Sequence, residues 1–359
     1  MFHGGNIWAY AKKYNLEPEK ILDFSANVNN FKDQKQIRKI ILRNISKISC
    51  YPDLKQHDLK EIVAERNKLD NENVVLGNGS IELIYLISKY LSPCQVKIVV
   101  PTFGEYEEAL KIFGSKISYF KTLEKDNFDL NIDLLLDNLR DEKVLFICNP
   151  NNPTGRLIKD NHLLRLIEGL KKRKIFLVID EAFLDFCQDK IDLNFRRELV
   201  KEGDVFLIRS LTKVYGLAGL RLGYALVGNE LSKQLNQMLP PWNVNCLAYE
   251  VALGILKDKE ADEKIREKVN REKRFLVSRL SKLRYLKIFD SQTNFILIKL
   301  LANTLNVEKI EEELIKSKIL IRNSQSFHLE SNNYFRIAVK AHHQNKFFIQ
   351  KLQEILGMG

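Results

Sequence analysis

The feature that most constrains this chain is an alternation between short apolar runs and amphipathic stretches, which continues from about residue 74 to residue 227. Strands that alternate with helical segments predict an α/β sheet. Several of the runs are continuously apolar, as expected of strands that helices cover on both faces. We therefore predict a mostly parallel, seven-stranded central sheet, with helices on both faces. The predicted strands are 74–76, 97–100, 116–120, 143–148, 175–179, 205–208 and 224–227.

The pattern changes after Pro240 and Pro241. Two long charged stretches, 245–257 and 260–283, predict helices, and short apolar runs near 295–298, 320–321 and 335–338 predict strands. These elements form a smaller α+β unit, and the cleft between the two units is the expected ligand site. We divide the chain into a large domain, 41–240, a small domain, 241–359, and an N-terminal segment, 1–40, that joins the small domain to the substrate site.

Charge and cysteine content exclude several classes of protein. Lys and Arg number 57 against 46 Asp and Glu, but the charges are interleaved, which is typical of solvated helix faces and not of a nucleic-acid stripe. The five cysteines are an odd number and far apart, so they predict neither a disulfide framework nor a metal site. No apolar run is long enough to span a membrane. We expect a cytoplasmic protein without a metal, nucleic-acid or membrane partner.

Polar residues follow several predicted strands, at the edge where open α/β sheets bind ligands. A Gly-Asn-Gly turn leads into Ser80, and its free N–H groups could hold a phosphate, although this segment by itself favours a simple turn with Ser80 as the helix N-cap. Asp180 ends an apolar strand, where its carboxylate requires either a cationic partner or a helix to cap. Lys213 ends a Ser-x-x-Lys segment, and Arg221 lies between glycines that suit phosphate binding.

In this order, the turn, an Asn-Pro-Thr-Gly segment at 152–155, Asp180, Lys213 and Arg221 resemble the aspartate aminotransferase family, the fold type I enzymes of pyridoxal phosphate (PLP). The resemblance spans nearly the whole chain, and implies PLP as the cofactor and a homodimer with active sites at the subunit interface. It implies that Lys213 binds PLP covalently and that Asp180 pairs with the pyridine nitrogen. The other implied contacts are Asn152 with the ring hydroxyl, Phe103 with the ring face, and Gly79, Ser80, Ser210, Arg221 and the neighbouring subunit's Tyr51 with the phosphate. For Phe103 and Tyr51, a place in the core is the alternative.

Within the family, the chain resembles both the threonine-phosphate decarboxylases of cobalamin biosynthesis and the histidinol-phosphate aminotransferases. The His-Gly-Gly-Asn element at 3–6 and the segments 23–27, 241–245 and 319–323 favour the decarboxylases. Phe183 also favours them, since the aminotransferases usually have Tyr there to donate to the ring hydroxyl. The chain departs from the pattern at 29–32, where Asn-Asn-Phe-Lys replaces Asn-Pro-Leu-Gly, so contacts near this loop could differ.

The implied reaction is decarboxylation of a small anionic O-phosphoamino acid, phosphothreonine or phosphoserine, to aminopropanol phosphate or ethanolamine phosphate. Arg336 matches the family's carboxylate-binding arginine, which leaves Arg322 and His3 for the phosphate, with an exchange of these roles open. Two alternatives remain open: a histidinol-phosphate-type aminotransferase, and a non-catalytic DNA-binding regulator, for which residues 1–40 are too few. The implied substrate-binding residues are His3, Asn27, Asn152, Arg322 and Arg336.

Overall fold

A computed structural model describes residues 4–31, 34–188, 191–302 and 305–357 of the chain. The helices are α1 Ile7–Tyr14, α2 Gln34–Asn44, α3 His57–Asn67, α4 Ser80–Leu91, α5 Glu105–Ile112, α6 Ile132–Asn138, α7 Asp160–Lys171, α8 Leu193–Lys201, α9 Leu211–Val214, α10 Asn229–Met238, α11 Cys246–Leu256, α12 Lys259–Leu280, α13 Val307–Lys316 and α14 His342–Ile355. The strands are β1 Leu22–Asp23, β2 Val74–Gly77, β3 Gln95–Val100, β4 Lys116–Lys121, β5 Val144–Cys148, β6 Phe176–Asp180, β7 Val205–Ser210, β8 Gly223–Leu226, β9 Leu286–Ile288, β10 Phe295–Leu300, β11 Ile319–Leu320, β12 Arg322–Asn323 and β13 Tyr334–Ala338.

The large sheet has seven strands in the order β2-β8-β7-β6-β5-β3-β4. Strand β8 runs antiparallel to both of its neighbours, and the other pairings are parallel. Alternate residues of β5 enter different cores: Leu145 and Ile147 pack in one cluster, Val144 and Phe146 in the other. Both faces of the sheet are therefore buried, and the predicted fold class is confirmed.

The register of the sheet brings the predicted functional segments to one edge. Cys148, at the end of β5, pairs with Asp180 at the end of β6, and Asp180 pairs in turn with Ile208 of β7. Because these strands are parallel, the segments that follow them all begin at the same edge. The residues that follow 148, 180 and 210 consequently lie close together.

The smaller unit contains an antiparallel sheet in the order β12-β13-β10-β9 and its own apolar core. A separate parallel pair, β1 with β11, attaches the N-terminal segment to this unit. Helix α11 follows residue 240 but packs, through Val251 and Ile255, in the same cluster as Ile37 of α2 and Leu59 of α3. The domain boundaries stay a prediction. Within the described ranges, no helix is both long and apolar enough to cross a membrane.

Candidate active site

A cavity of about 440 Å³ lies at the carboxyl edge of the large sheet, against the smaller unit. Both units contribute to its wall, as expected of a ligand site in a cleft. Most of the residues predicted for the site line this one cavity. These are Asn27, Ser80, Phe103, Asn152, Asp180, Lys213, Arg221, Arg322 and Arg336.

Gly79, Tyr51 and Ser210 do not line the cavity, and His3 lies outside the described residues. Tyr51 is 79% exposed and stacks on Trp242 with ring centroids 4.4 Å apart, so the alternative that it is a core aromatic is wrong. Ser210 is buried, and its hydroxyl lies 2.8 Å from the Thr212 hydroxyl. The cofactor contacts of Tyr51 and Ser210 stay predictions.

Asp180 is buried at the end of β6, and burial raises the pKa of its carboxyl. One carboxylate oxygen accepts from the Ala182 N–H at 2.9 Å, and the other accepts from the Tyr106 hydroxyl at 2.7 Å. No cation within the described ranges forms an ion pair with this carboxylate. A buried carboxylate without an ion-pair partner suits a cationic ligand group, such as a protonated pyridine nitrogen.

Lys213 follows β7 by three residues and faces Asp180 inside the cavity. Burial, together with the nearby charges of Arg336 and Arg221, lowers the pKa of its ammonium to about 8. A lowered pKa raises the fraction of neutral amine near neutral pH, and the neutral amine is the form that attacks a carbonyl group. The lysine is therefore suited to a covalent attachment.

The turn before α4 holds an arginine against a glycine. Gly79 has a φ of +84°, and a Cβ at this position would lie 2.4 Å from Nη2 of Arg221. Only glycine permits this approach, which brings the guanidinium to the start of a 12-residue helix, where free N–H groups favour an anion. Gly79 is the N-cap and Ser80 the first helical residue, so the alternative that Ser80 caps the helix is wrong.

Asn243 braces this turn from the 241–245 segment. Its amide donates to the Leu76 carbonyl at 3.0 Å and to the Glu82 carboxylate at 2.8 Å. The same carboxylate oxygen accepts from the Asn78 N–H at 2.7 Å. The sequence indicated the 241–245 segment only as part of a family pattern, and the structure shows that its Asn243 holds the turn before α4 in place.

These features fit PLP. The ring nitrogen would meet Asp180, the aldehyde would meet Lys213, and the phosphate would meet Arg221 at the start of α4. Phe103 lines the same wall and has its ring edge-on to Tyr106, with centroids 5.7 Å apart.

Two arginines lie side by side at the other end of the cavity. Arg322 of β12 and Arg336 of β13 are paired residues in the antiparallel register. Both are buried, and among the described residues neither forms an ion pair with a carboxylate. Burial and the neighbouring Arg322 lower the pKa of Arg336 to about 9, and burial also lowers that of Arg322.

The hydrogen bonds of these arginines leave part of each guanidinium available. Arg336 donates from Nη1 to the Asn152 side chain and from Nη2 to the Ser25 carbonyl at 2.6 Å, while its buried Nε has no partner within the described ranges. Arg322 donates from Nη2 to the Ser326 hydroxyl at 2.5 Å. The pair can therefore bind an anion without first breaking an ion pair.

The N-terminal glycines close one side of this end. Gly4 and Gly5 line the cavity, and the Gly5 N–H donates to the Ser25 hydroxyl at 2.8 Å. A Cβ on Gly4 would lie 2.4 Å from the Ser25 carbonyl oxygen, so the close approach requires glycine. The glycines of the His-Gly-Gly-Asn element therefore belong to the site.

The segment 29–32 contacts the Lys213 loop through Asn29, which matches the family pattern, and the departure is confined to 30–32. The Asn29 N–H donates to the Lys213 carbonyl at 3.0 Å, and its side-chain amide donates to the Val214 carbonyl at 2.6 Å. Phe31 packs against the cores of both units, and Lys32 lies outside the described residues.

Sequence reasoning missed two aromatic residues of the site. Tyr106 donates to Asp180, and its position three residues after Phe103, near the start of α5, is the one available signal. Phe327 lies in a loop without a periodic pattern, and its ring centroid is 5.2 Å from the guanidinium carbon of Arg322 and 5.5 Å from that of Arg336. No sequence pattern indicates that contact.

The chain is similar to known proteins over nearly its full length. Residues 19–351 match the model of the aminotransferase class I and II family. The chain is 35% identical to a provisionally named threonine-phosphate decarboxylase of Caldanaerobacter subterraneus, covering 99% of this chain and 94% of that protein. It is 30% identical to the threonine-phosphate decarboxylase of Salmonella typhimurium, covering 99% and 96%. It is 34% identical, over 98% of its length, to an adenosylcobalamin biosynthesis bifunctional protein of Leptospira interrogans, of which it spans 41%.

Solved structures are similar to the whole fold. The histidinol-phosphate aminotransferase of Clostridium acetobutylicum has a TM-score of 0.86 at 28% identity, covering 94% of this chain and 99% of that one. The L-threonine-O-3-phosphate decarboxylase of Porphyromonas gingivalis has a TM-score of 0.83 at 25% identity, covering 94% and 100%. The chain therefore belongs to the aminotransferase class I and II family and is a pyridoxal phosphate enzyme, as its site residues and its sequence both indicate.

Proposed function

We propose that this enzyme decarboxylates an O-phosphoamino acid, phosphothreonine or phosphoserine. The observation that carries the proposal is the buried pair Arg322 and Arg336, which has no carboxylate partner in the described part of the chain and faces the same cavity as Lys213 and Asp180. Two buried cations require anionic partners, and a phosphoamino acid supplies a phosphate and a carboxylate. The identity with threonine-phosphate decarboxylases supports the same substrate class.

Bound PLP supplies an electron sink for the pair of electrons left on the α-carbon when one of its bonds breaks. The residues of the chain select which bond breaks, because they fix the orientation of the substrate. We assign the carboxylate to Arg336, which matches the family's carboxylate-binding arginine, and the phosphate to Arg322. Both terminal nitrogens of Arg336 already donate to protein oxygens, so it can hold the carboxylate without enclosing it. A looser contact stabilises the departing carboxylate less in the ground state.

Phe183 supports decarboxylation over amino transfer. It lines the cavity and packs edge-on against Phe295, with ring centroids 5.0 Å apart. A phenyl ring has no hydroxyl to donate to the cofactor ring, in contrast to the tyrosine that aminotransferases usually have there. This difference favours the decarboxylase over the alternative aminotransferase.

The test is incubation of the purified, PLP-loaded enzyme with phosphothreonine, phosphoserine and threonine, each with and without 2-oxoglutarate. We expect CO2 and an amine phosphate from the phosphorylated substrates without any oxo acid, and far less product from threonine. An oxo-acid product formed in step with glutamate would instead establish an aminotransferase.

We further propose that the enzyme is a homodimer. Several large apolar side chains lie exposed in the last turn of α2 and in the segment between α2 and α3, where a second subunit could cover them: Leu42 (61%), Ile45 (45%), Ile48 (62%), Tyr51 (79%) and Leu54 (55%). If Tyr51 reaches the partner's PLP phosphate, dilution must release PLP and monomers together. An active, fully PLP-loaded monomer in sedimentation experiments would contradict this proposal.

A cytoplasmic location and a role in cobalamin biosynthesis complete the proposal. None of the five cysteines, all of which lie in described ranges, forms a disulfide, which agrees with a reducing compartment. The similarity to the Leptospira bifunctional protein supports use of the amine phosphate in the cobalamin nucleotide loop.

A further inference from the structure

Residues 24–28 form one wall of the substrate end, and every one of their carbonyl groups is held by the smaller unit. Ser25, Ala26, Asn27 and Val28 line the cavity. The donors come from β13, from the residues just after it and from the loop before β10. The five hydrogen bonds are Ala338 N–H to Phe24 O (2.8 Å), Arg336 Nη2 to Ser25 O (2.6 Å), Lys340 Nζ to Ala26 O (3.3 Å), Asn294 Nδ2 to Asn27 O (3.2 Å) and Lys340 Nζ to Val28 O (3.4 Å).

Lys340 supplies two of these bonds from outside the cavity. Its ammonium holds the carbonyls on either side of Asn27, and the residue is 8% exposed. Asn345 of α14 fixes the backbone of Lys340, accepting from its N–H at 3.0 Å and donating to its carbonyl at 2.6 Å. The backbone that carries this ammonium is therefore fixed, and the side chain does not line the cavity.

Asn27 is the residue between the two carbonyls that Lys340 holds. Asn27 lines the cavity, and in the described part of the chain its amide Nδ2, the group that can donate to an anion, has no acceptor, while its buried Oδ1 has no donor. Carbonyl oxygens that point at Lys340 also keep their partial negative charge away from an anionic substrate. Asn29, the residue after this wall, donates to the Lys213 carbonyl, so the chain contacts the backbone of the cofactor lysine directly after residues 24–28.

We propose that Lys340 is a positioning residue for the substrate: it holds the carbonyls of Ala26 and Val28 so that Asn27 presents its amide to the phosphoamino acid. The substrate class in this statement rests on the proposed function. Lys340 acts through Asn27 and touches neither the substrate nor PLP. Its removal should loosen the 24–28 wall and weaken substrate binding more than it slows the chemical step.

The test compares Lys340→Met with a matched control, Lys273→Met, in the PLP-loaded enzyme. Lys273 is 9% exposed and its Nζ also donates to a backbone carbonyl, Ser291 O at 2.6 Å, but it does not line the cavity. A third variant, Lys340→Gln, keeps an uncharged NH2 donor group. The measurements are the KM and kcat for O-phosphothreonine, its dissociation constant, and the deuterium uptake of residues 24–29.

We expect Lys340→Met to raise KM and the dissociation constant by about tenfold or more, with kcat changed much less, since two charged hydrogen bonds are lost. It should also speed deuterium uptake in residues 24–29, and Lys340→Gln should restore part of each effect. Lys273→Met should resemble the wild type in all of them. The proposal would be overturned if both Lys340 variants bound the substrate and took up deuterium as the wild type does.

A wrong substrate and a wrong role for Lys340 would give different experimental results. If wild-type enzyme neither binds nor decarboxylates O-phosphothreonine, the proposed substrate is wrong. The deuterium uptake of residues 24–29 still decides the positioning role in that case, because it requires no substrate. Unchanged uptake in Lys340→Met would then refute the role of Lys340 independently.

Discussion

The two ends of the cavity differ in how their charges are balanced. At the cofactor end, a buried carboxylate, Asp180, faces a buried amine, Lys213, and both follow strands of one rigid sheet. At the substrate end, Arg322 and Arg336 are neighbours of like charge without a carboxylate partner among the described residues. The first end has the charges that its chemistry needs, whereas the second end lacks the anions that would neutralise it. We therefore expect the substrate end to set the specificity of this enzyme.

The contrast follows from the elements that carry each end. Asp180 and Lys213 are placed by parallel strands whose register sets their separation. The arginines are placed by the two-residue strand β12, by β13 of the small sheet and by loops, including the 24–28 wall. Buried like charges cost free energy in the empty site, and the doubly anionic substrate proposed above would offset that cost on binding.

The largest effect should follow Lys213→Ala, which removes the amine from the cofactor end. We expect loss of the cofactor's covalent attachment and a fall in kcat on the order of 10³-fold, as when a catalytic proton-transfer group is removed. Borohydride reduction followed by peptide mass measures the attachment. PLP fixed to the variant's active site at the wild-type level would refute the assignment.

A smaller loss should follow Asp180→Ala, which leaves a pyridine nitrogen without its carboxylate. PLP should still bind, held by Arg221 and the α4 turn, but kcat should fall by about 10²-fold or more because an oriented charge is missing. Absorbance spectra report the bound PLP, and CO2 release reports turnover. Near-normal turnover with bound PLP would show that this carboxylate is not required.

At the substrate end, Arg322→Ala and Arg336→Ala should separate the two anionic groups. Arg322→Ala should lower kcat/KM for phosphothreonine by about 10- to 100-fold, the range of a lost charged hydrogen bond, and affect threonine little. Arg336→Ala should impair both substrates, since both carry the carboxylate. The opposite pattern would exchange the roles of the two arginines, and equal losses would show that neither is selective.

The same contrast explains what the sequence could predict. Asp180, Lys213 and the turn at Gly79 directly follow apolar strands, and a periodic pattern locates strand ends. Phe327, Ser326 and the carbonyl contacts of Lys340 depend on how loops pack between the units, for which a single sequence contains no periodic signal. Tyr51 shows a third case: its exposure is visible in one chain, but its predicted partner would lie on another.

The smallest expected effect tests the cofactor end without any substrate. Burial lowers the pKa of Lys213 from 10.5 in an unfolded chain to about 8, so between these pH values the unfolded state binds more protons than the folded state. Stability must then rise with pH across this window, by at most about 1.4 kcal/mol per pH unit. In PLP-free protein, urea unfolding should show wild type gaining stability relative to Lys213→Met from pH 8 to 10.5. The stability of wild type relative to Lys273→Met should rise with pH in the same way, since burial also lowers the pKa of Lys273, which lies outside the cavity, to about 8. If the stability difference between wild type and Lys213→Met were independent of pH while the difference between wild type and Lys273→Met rose with pH, Lys213 would ionise normally in the folded protein and the cofactor end would not prepare its amine.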